Sequence, residues 1–301
     1  MLHTWNHLPH TVRAAIEAET GPVRRVEIPE AGRNSDFAAT LLTRRGTVFC
    51  KGIVDAGGKR AKMHRHEADV APYLPPAVAP RLLWSIEVDD WLLLGFQHIT
   101  GHHTDLSPGS ADLPLVAEAV STMARELAGC TAPGVPALSE KMAWMAGWRR
   151  LRHQPPAELD QWSRDRLDLL VDLEAKGIEA AAGNNLIHTD LHQFNILVGD
   201  RAWVIDWAWS RTGAAWIDVA HLVVRLIGQG HSPETAEQWA AATLAWPTAS
   251  PDALTGFSVA LLGMWTYLHH TDPLPMRAGL ATAARQWAEH RLVLAERNCF
   301  K

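Results

Sequence analysis

The stretch NNLIHTDLHQFNILVGDRAWVIDWAWS, residues 184–210, decides how this chain is read. It packs His188, Asp190, His192, Asn195 and Asp206 into one short window. Two kinds of site can be written this way. On a strand, His188, Asp190 and His192 would all face one side, and zinc takes His and Asp ligands. That arrangement leaves Asn195 and Asp206 without a role, and a catalytic zinc wants a third strong ligand. The alternative is phosphoryl transfer, which needs few protein groups. It needs a carboxylate for the acceptor's proton, oxygen ligands for Mg²⁺, and a cation on the phosphates. Asp190 suits the first part. A hairpin formed by 196–198 and 202–205, closed by Gly199-Asp200, would fold Asp206 back beside Asn195. An amide oxygen and a carboxylate would then converge on a hard cation. In that reading His188 and His192 are hydrogen-bonded supports of the loop.

Working outward, Thr11 caps a predicted helix running to Glu19, and Gly21-Pro22 ends it. Strands are predicted over 23–28, 36–43, 47–54, 80–88 and 91–98, with a helix over 59–73 stopped by Pro75-Pro76. After Gly101 the pattern becomes helical, over 113–129, 140–152, 158–182, 214–227, 233–245, 251–270 and 276–296. The expected organisation is a β-rich first domain, residues 1–98, and a larger helical domain, residues 99–301.

HTDLHQFNILV followed by VIDW resembles the catalytic loop and metal-binding segment of the aminoglycoside phosphotransferase family, small-molecule kinases with a protein-kinase-like fold. The usual family loop is similar to His-Gly-Asp-Leu-His-x-x-Asn, followed by Ile-Asp-Trp or Ile-Asp-Phe. The resemblance implies an α+β, two-lobed protein-kinase-like fold that uses ATP and Mg²⁺. By likeness Asp190 is the catalytic base, Asn195 and Asp206 hold Mg²⁺, and His188 anchors the loop. This chain departs from the pattern with Thr189 for Gly and Gln193-Phe194 where Pro-Gly is common. It also has Ala208 where many relatives carry an acid.

The same likeness runs through the chain in order. FCKGIVD sets Lys51 in the middle of an apolar strand, where it either contacts phosphate or snorkels from a sheet edge. Glu67 in HRHEADV is its expected carboxylate partner, with Asp69 as the alternative. EAGRNSDFAAT partly matches the family's phosphate-covering turn, best at Ser35 and Asp36, and the backbone from Gly32 to Ser35 with the Ser35 hydroxyl would cradle phosphate. In WLLLGFQHITG, Phe96 would close the back of the nucleotide site, with the backbone of Gln97 and Ile99 meeting adenine. In AAWIDVAHLVVRL, Asp218 would buttress the catalytic loop, or else serve the helix dipole.

Composition narrows the partners. The formal charge of −5 gives no dense basic patch for nucleic acid. The 3 cysteines are scattered and fit a reducing cytoplasm. The N-terminus does not read as a signal peptide, and no apolar run is long enough to span a membrane. The acceptor is expected to be a small hydroxylated molecule, with Trp207, Trp209 and Glu234 as candidate contacts. An aminoglycoside or other antibiotic would make the chain a resistance enzyme. A housekeeping metabolite such as choline, a sugar or homoserine is the alternative acceptor. A non-catalytic nucleotide-binding protein is the remaining possibility. Intact Lys51, Asp190, Asn195 and Asp206 argue against that last one.

Overall fold

The computed structural model describes residues 3–29, 35–130 and 132–298. The chain divides into two compact units, Met1–Thr104 with Phe194–Ser210, and Asp105–Gln193 with Arg211–Lys301. A boundary at 98/99 misses one segment, because residues 194–210 group with the first unit. The cause is a short strand, β6 (His102–His103), that hydrogen-bonds to the hairpin of β8 (Ile196–Val198) and β9 (Ala202–Val204). Two glycines permit that approach. A Cβ on Gly101 would lie 2.4 Å from the Val198 carbonyl oxygen, and one on Gly199 2.5 Å from that of Thr100.

The first unit is built on a five-stranded antiparallel sheet. Its strands are β1 (Val23–Glu27), β2 (Phe37–Thr43), β3 (Thr47–Val54), β4 (Leu82–Val88) and β5 (Trp91–Gln97), ordered β1-β2-β3-β5-β4. All five predicted strands are present; the third keeps its bounds and the other four are trimmed by a residue or two. Helix α1 (His10–Thr20) packs Val12 and Ile16 on one face of the sheet, against Phe37, Leu41, Cys50 and Leu93. It starts after Pro9 with no side-chain cap. Thr11 lies inside the helix and donates its hydroxyl to Asp89. The other face carries Ile53, Leu92 and Leu94 under helix α2 (Ala61–Val70), which continues as a 3₁₀ turn, Ala71–Tyr73. Strand alternation sends Cys50 to the α1 side, and Lys51 and Ile53 to the α2 side. On α2, Ala61, His64, Glu67 and Val70 form the buried stripe at intervals of three.

The second unit is helical: α3 (Leu113–Glu126), α4 (Leu138–Met145), α5 (Gly147–His153), α6 (Gln161–Asp165), α7 (Leu167–Ala180), α8 (Ile217–Gly228), α9 (Pro233–Ala241), α10 (Pro251–Thr271) and α11 (Pro275–Asn298). Two predicted helices are each split. The one over 140–152 breaks at Ala146, because the buried Glu174 carboxylate draws the Trp148 and Arg149 amides at 2.9 and 3.0 Å and so starts a new helix. The one over 158–182 breaks at Arg166, between an Asp160-capped turn and α7. Strands β7 (Asn185–Ile187) and β10 (Arg211–Gly213) pair antiparallel, and both were too short to read from periodicity. No helix among the described residues is long and apolar enough to cross a membrane.

Candidate active site

In the first unit, sequence places a lysine on the α2 side of a buried sheet face, and burial alone would expel its charge. Two carboxylates hold it there. Lys51 Nζ lies 2.5 Å from Glu67 Oε2 and 2.9 Å from Asp206 Oδ1. Lys51 and Glu67 are 8% and 3% exposed. Burial works against the ammonium, but Asp206 and Glu67 outweigh it and raise its pKa. Burial also raises the Glu67 pKa, with Lys51 opposing and Asp206 adding. One ammonium facing two carboxylates leaves a surplus negative charge. Lys51 also lies 5.7 Å from the Phe96 ring centroid. Glu67, rather than Asp69, is the partner.

The hairpin of β8 and β9 delivers Asp206. Ile196 pairs with Val204, and the Ile205 amide donates to the Asn195 carbonyl at 3.0 Å, so residues 195 and 206 leave the hairpin side by side. Asp206 then turns through the left-handed region, with φ 64°. Asn195 and Asp206 would offer oxygens, an amide and a carboxylate. That chemistry fits a hard divalent cation such as Mg²⁺. Sequence reading missed one structural neighbour of this segment. His66 Nε2 on α2 contacts Ser210 Oγ at 2.9 Å, which ties the end of this segment to the helix that carries Glu67.

In the second unit, residues 188–190 follow β7 directly. Asp218, in the first turn of α8, accepts the His188 amide on Oδ2 and the Thr189 amide on Oδ1, both at 2.8 Å. Its carboxylate serves the loop rather than the start of its own helix, and burial raises its pKa. His188 is fully buried, and its Nδ1 accepts the Asp190 amide at 3.2 Å. A nitrogen committed inside the loop is not a metal ligand. His192 Nε2 lies 3.8 Å from Asp190 Oδ2. Arg225 Nη2 lies 3.8 Å from Asp190 Oδ1. Sequence reading passed over Arg225. Its signal was its place seven residues after Asp218, on the same helical face, within an apolar run.

Thr189 occupies the left-handed region, φ 67°, where a β-branched residue is strained by about 1–2 kcal/mol. Replacing it with Gly relieves that strain at about 0.5–1 kcal/mol of added unfolded-state entropy. Thr189→Gly is therefore expected to raise the melting temperature slightly. A lower melting temperature would show that the threonine side chain stabilises the loop.

Two buried histidines make stability sensitive to acid. The His64 pKa is pushed down to about 4 by burial, with Lys51 adding. The His221 pKa is pushed down to about 3 by burial, with Arg225 adding. Below 6.5 the unfolded chain binds protons that the folded chain refuses, so stability falls as pH drops toward 4. Melting curves across that window should show the fall, and His221→Gln should flatten it. An unchanged slope would contradict the assignment.

The remaining candidates have the following partners. Ser35 Oγ is 3.1 Å from His64 Nε2. Gly32 lies outside the described residues. The Gln97 amide donates to the Arg81 carbonyl at 2.9 Å, so only its carbonyl remains for a nucleotide edge, and Ile99 is half-buried after β5. Trp207 is buried, with its indole N–H donated to Val204, whereas Trp209 is exposed. Glu234 pairs with His290 at 3.1 Å.

Comparison with known proteins gives a consistent picture. The family described as the phosphotransferase enzyme family matches residues 55–254, a span that includes Glu67, Asp190, Asn195, Asp206 and Asp218. No curated protein sequence matches the chain. Among solved structures, an aminoglycoside phosphotransferase from Alicyclobacillus acidocaldarius aligns with a TM-score of 0.64 at 13% identity, covering 95% of each chain. The choline kinase LicA from Streptococcus pneumoniae aligns at 0.59 and 13% identity, covering 92% of this chain and 98% of that one. An aminoglycoside phosphotransferase from Streptomyces rimosus, in complex with ADP and streptomycin, aligns at 0.54 and 19%, covering 83% and 95%. At these identities the likeness establishes the fold, which is protein-kinase-like.

Proposed function

This chain belongs to the phosphotransferase enzyme family, and from that premise we propose that it transfers the γ-phosphate of ATP to a hydroxyl of a small molecule. The observation that carries the reading is Lys51 held between Glu67 and Asp206 at 2.5 and 2.9 Å. A buried lysine pinned by two carboxylates has no packing purpose, because well-packed apolar residues would serve stability as well or better.

Lys51 is the cation for the α- and β-phosphates, and Glu67 fixes its direction. Asn195 and Asp206 would hold Mg²⁺, which when bound neutralises charge on the β- and γ-phosphates. Phe96, the Gln97 carbonyl and Ile99 would line the adenine, and Ser35 would meet the phosphates. Asp190 takes the acceptor's proton as the acceptor oxygen bonds to the γ-phosphorus. The bond from that phosphorus to the bridging oxygen breaks, and ADP leaves with the electron pair. Asp218 and His188 hold the backbone around Asp190, so the carboxylate is oriented before the acceptor arrives.

The acceptor is a hydroxylated antibiotic or metabolite. Use of ATP and the thiols of Cys50 and Cys130, both free, suit a reducing cytoplasm. The test is incubation with Mg-ATP and pooled hydroxylated compounds, read by mass spectrometry for a gain of one phosphate. No such product, together with no binding of Mg-ATP, would refute the reading.

A further inference from the structure

The second unit holds an arginine that the kinase reading leaves unused. Arg225 lies on α8 with its side chain 12% exposed. Its guanidinium sits 5.6 Å from the Trp265 ring centroid, and Nη2 is 3.8 Å from Asp190 Oδ1. At that distance the contact is charge attraction, too long for a hydrogen bond. Burial lowers the Arg225 pKa, with Asp190 opposing, so the guanidinium is under-solvated where it stands. His192 flanks the other Asp190 oxygen, also at 3.8 Å. Asp190 thus has a guanidinium near one oxygen and an imidazole near the other.

Two acidic residues of α9, Glu234 and Glu237, are engaged by neighbours within this unit. Glu237 accepts from Trp287 Nε1 at 2.6 Å and from Arg291 at 3.2 Å, and Glu234 pairs with His290. Position 208 is alanine. A cationic acceptor brought to Asp190 would meet a like charge. A planar guanidinium, largely desolvated and backed by an indole, is instead suited to a carboxylate or phosphate.

We propose that the acceptor carries an anionic group, a carboxylate or a phosphate ester, beside its reacting hydroxyl, and that Arg225 binds that group while Asp190 takes the hydroxyl proton. This rests on the kinase reading and sets the substrate class within it. Arg225 is then the specificity-determining residue, and Trp265 backs its guanidinium.

The test is an acceptor panel in four charge classes, scored by phosphate gain and ADP release. Streptomycin and choline are the cations, glycerol and sorbitol the neutral compounds, glycerate and gluconate the hydroxy acids, and glucose 6-phosphate and glycerol 3-phosphate the phosphate esters. Mg-ATP binding is measured calorimetrically on the same preparation. Turnover is expected in one of the two anionic classes, and the pair of arms identifies which anion is read. Arg225→Gln should raise KM for that acceptor about a hundredfold with kcat little changed, and Arg225→Lys should recover part of the loss. A merely structural arginine would lower the melting temperature and depress every acceptor alike, and that result overturns the proposal. An equal loss of kcat for all classes also overturns it, because Arg225 would then act on the transferring phosphoryl group. So does turnover of a cationic or neutral acceptor at least as efficient as that of the anions, or Mg-ATP binding without phosphorylation of any anionic member. Absence of Mg-ATP binding would remove the kinase reading itself, and this assignment with it.

Discussion

Asp190→Asn is expected to lower phosphate transfer by about 10²–10⁴-fold while the protein still binds Mg-ATP. The amide keeps the shape of the carboxylate but cannot accept the hydroxyl proton. The loop should survive the change, because its backbone is fixed by Asp218 through the His188 and Thr189 amides and by His188 Nδ1 on the Asp190 amide. The substitution also removes the charge that faces Arg225 Nη2 at 3.8 Å. At that distance the contact is too long for a hydrogen bond, so its loss should lower the melting temperature only modestly. Single-turnover transfer at saturating ATP measures the chemical step. Near-normal rates in the Asn variant would remove Asp190 from the chemistry.

The second large effect is expected at the lysine cluster. Asp206→Ala takes away one of the two candidate Mg²⁺ ligands and one of the two carboxylates on Lys51. Metal ions in such sites supply several kcal/mol of charge stabilisation, so transfer should fall by about three orders of magnitude and lose its response to Mg²⁺. Lys51→Met acts on stability as well. It takes the ammonium away from the buried Glu67 carboxylate, a loss of about 3–5 kcal/mol. The surviving carboxylate pair should then bind a proton near neutrality, since burial already raises Glu67 and the opposing Lys51 charge is gone. Lys51→Met should consequently be more stable below neutral pH than above it. Chemical denaturation at several pH values checks the sign, and a variant more stable in alkali would contradict it.

Much of this was legible in the sequence because the informative residues violate burial rules. A lysine inside FCKGIVD and a glutamate inside the buried stripe of α2 only make sense if they meet, and they do at 2.5 Å. The hairpin between Asn195 and Asp206 followed from alternation and a Gly-Asp turn. Its docking on β6 did not, since a two-residue strand has no periodicity. The helix break at Ala146 was hidden for a different reason. It is imposed by Glu174, distant in sequence, whose carboxylate caps a new helix start. Arg225 was overlooked because an arginine at the end of an apolar helix reads as a charge suited to the helix C-terminus. Its approach to Asp190 is set by the fold around α8. Trp207 was the opposite case. Its position next to Asp206 suggested a substrate face, yet its indole is packed against its own hairpin.

Lys51, Glu67 and Asp206, with Asn195, are proposed to hold ATP and its metal ion. Calorimetric titration of ATP with and without Mg²⁺, into the unaltered protein, Lys51→Met and Asp206→Ala, tests it most directly. Mg²⁺-dependent binding in the unaltered protein, weakened at least about tenfold in both variants, is the predicted result. Equal affinity in all three proteins, or binding indifferent to Mg²⁺, would contradict it.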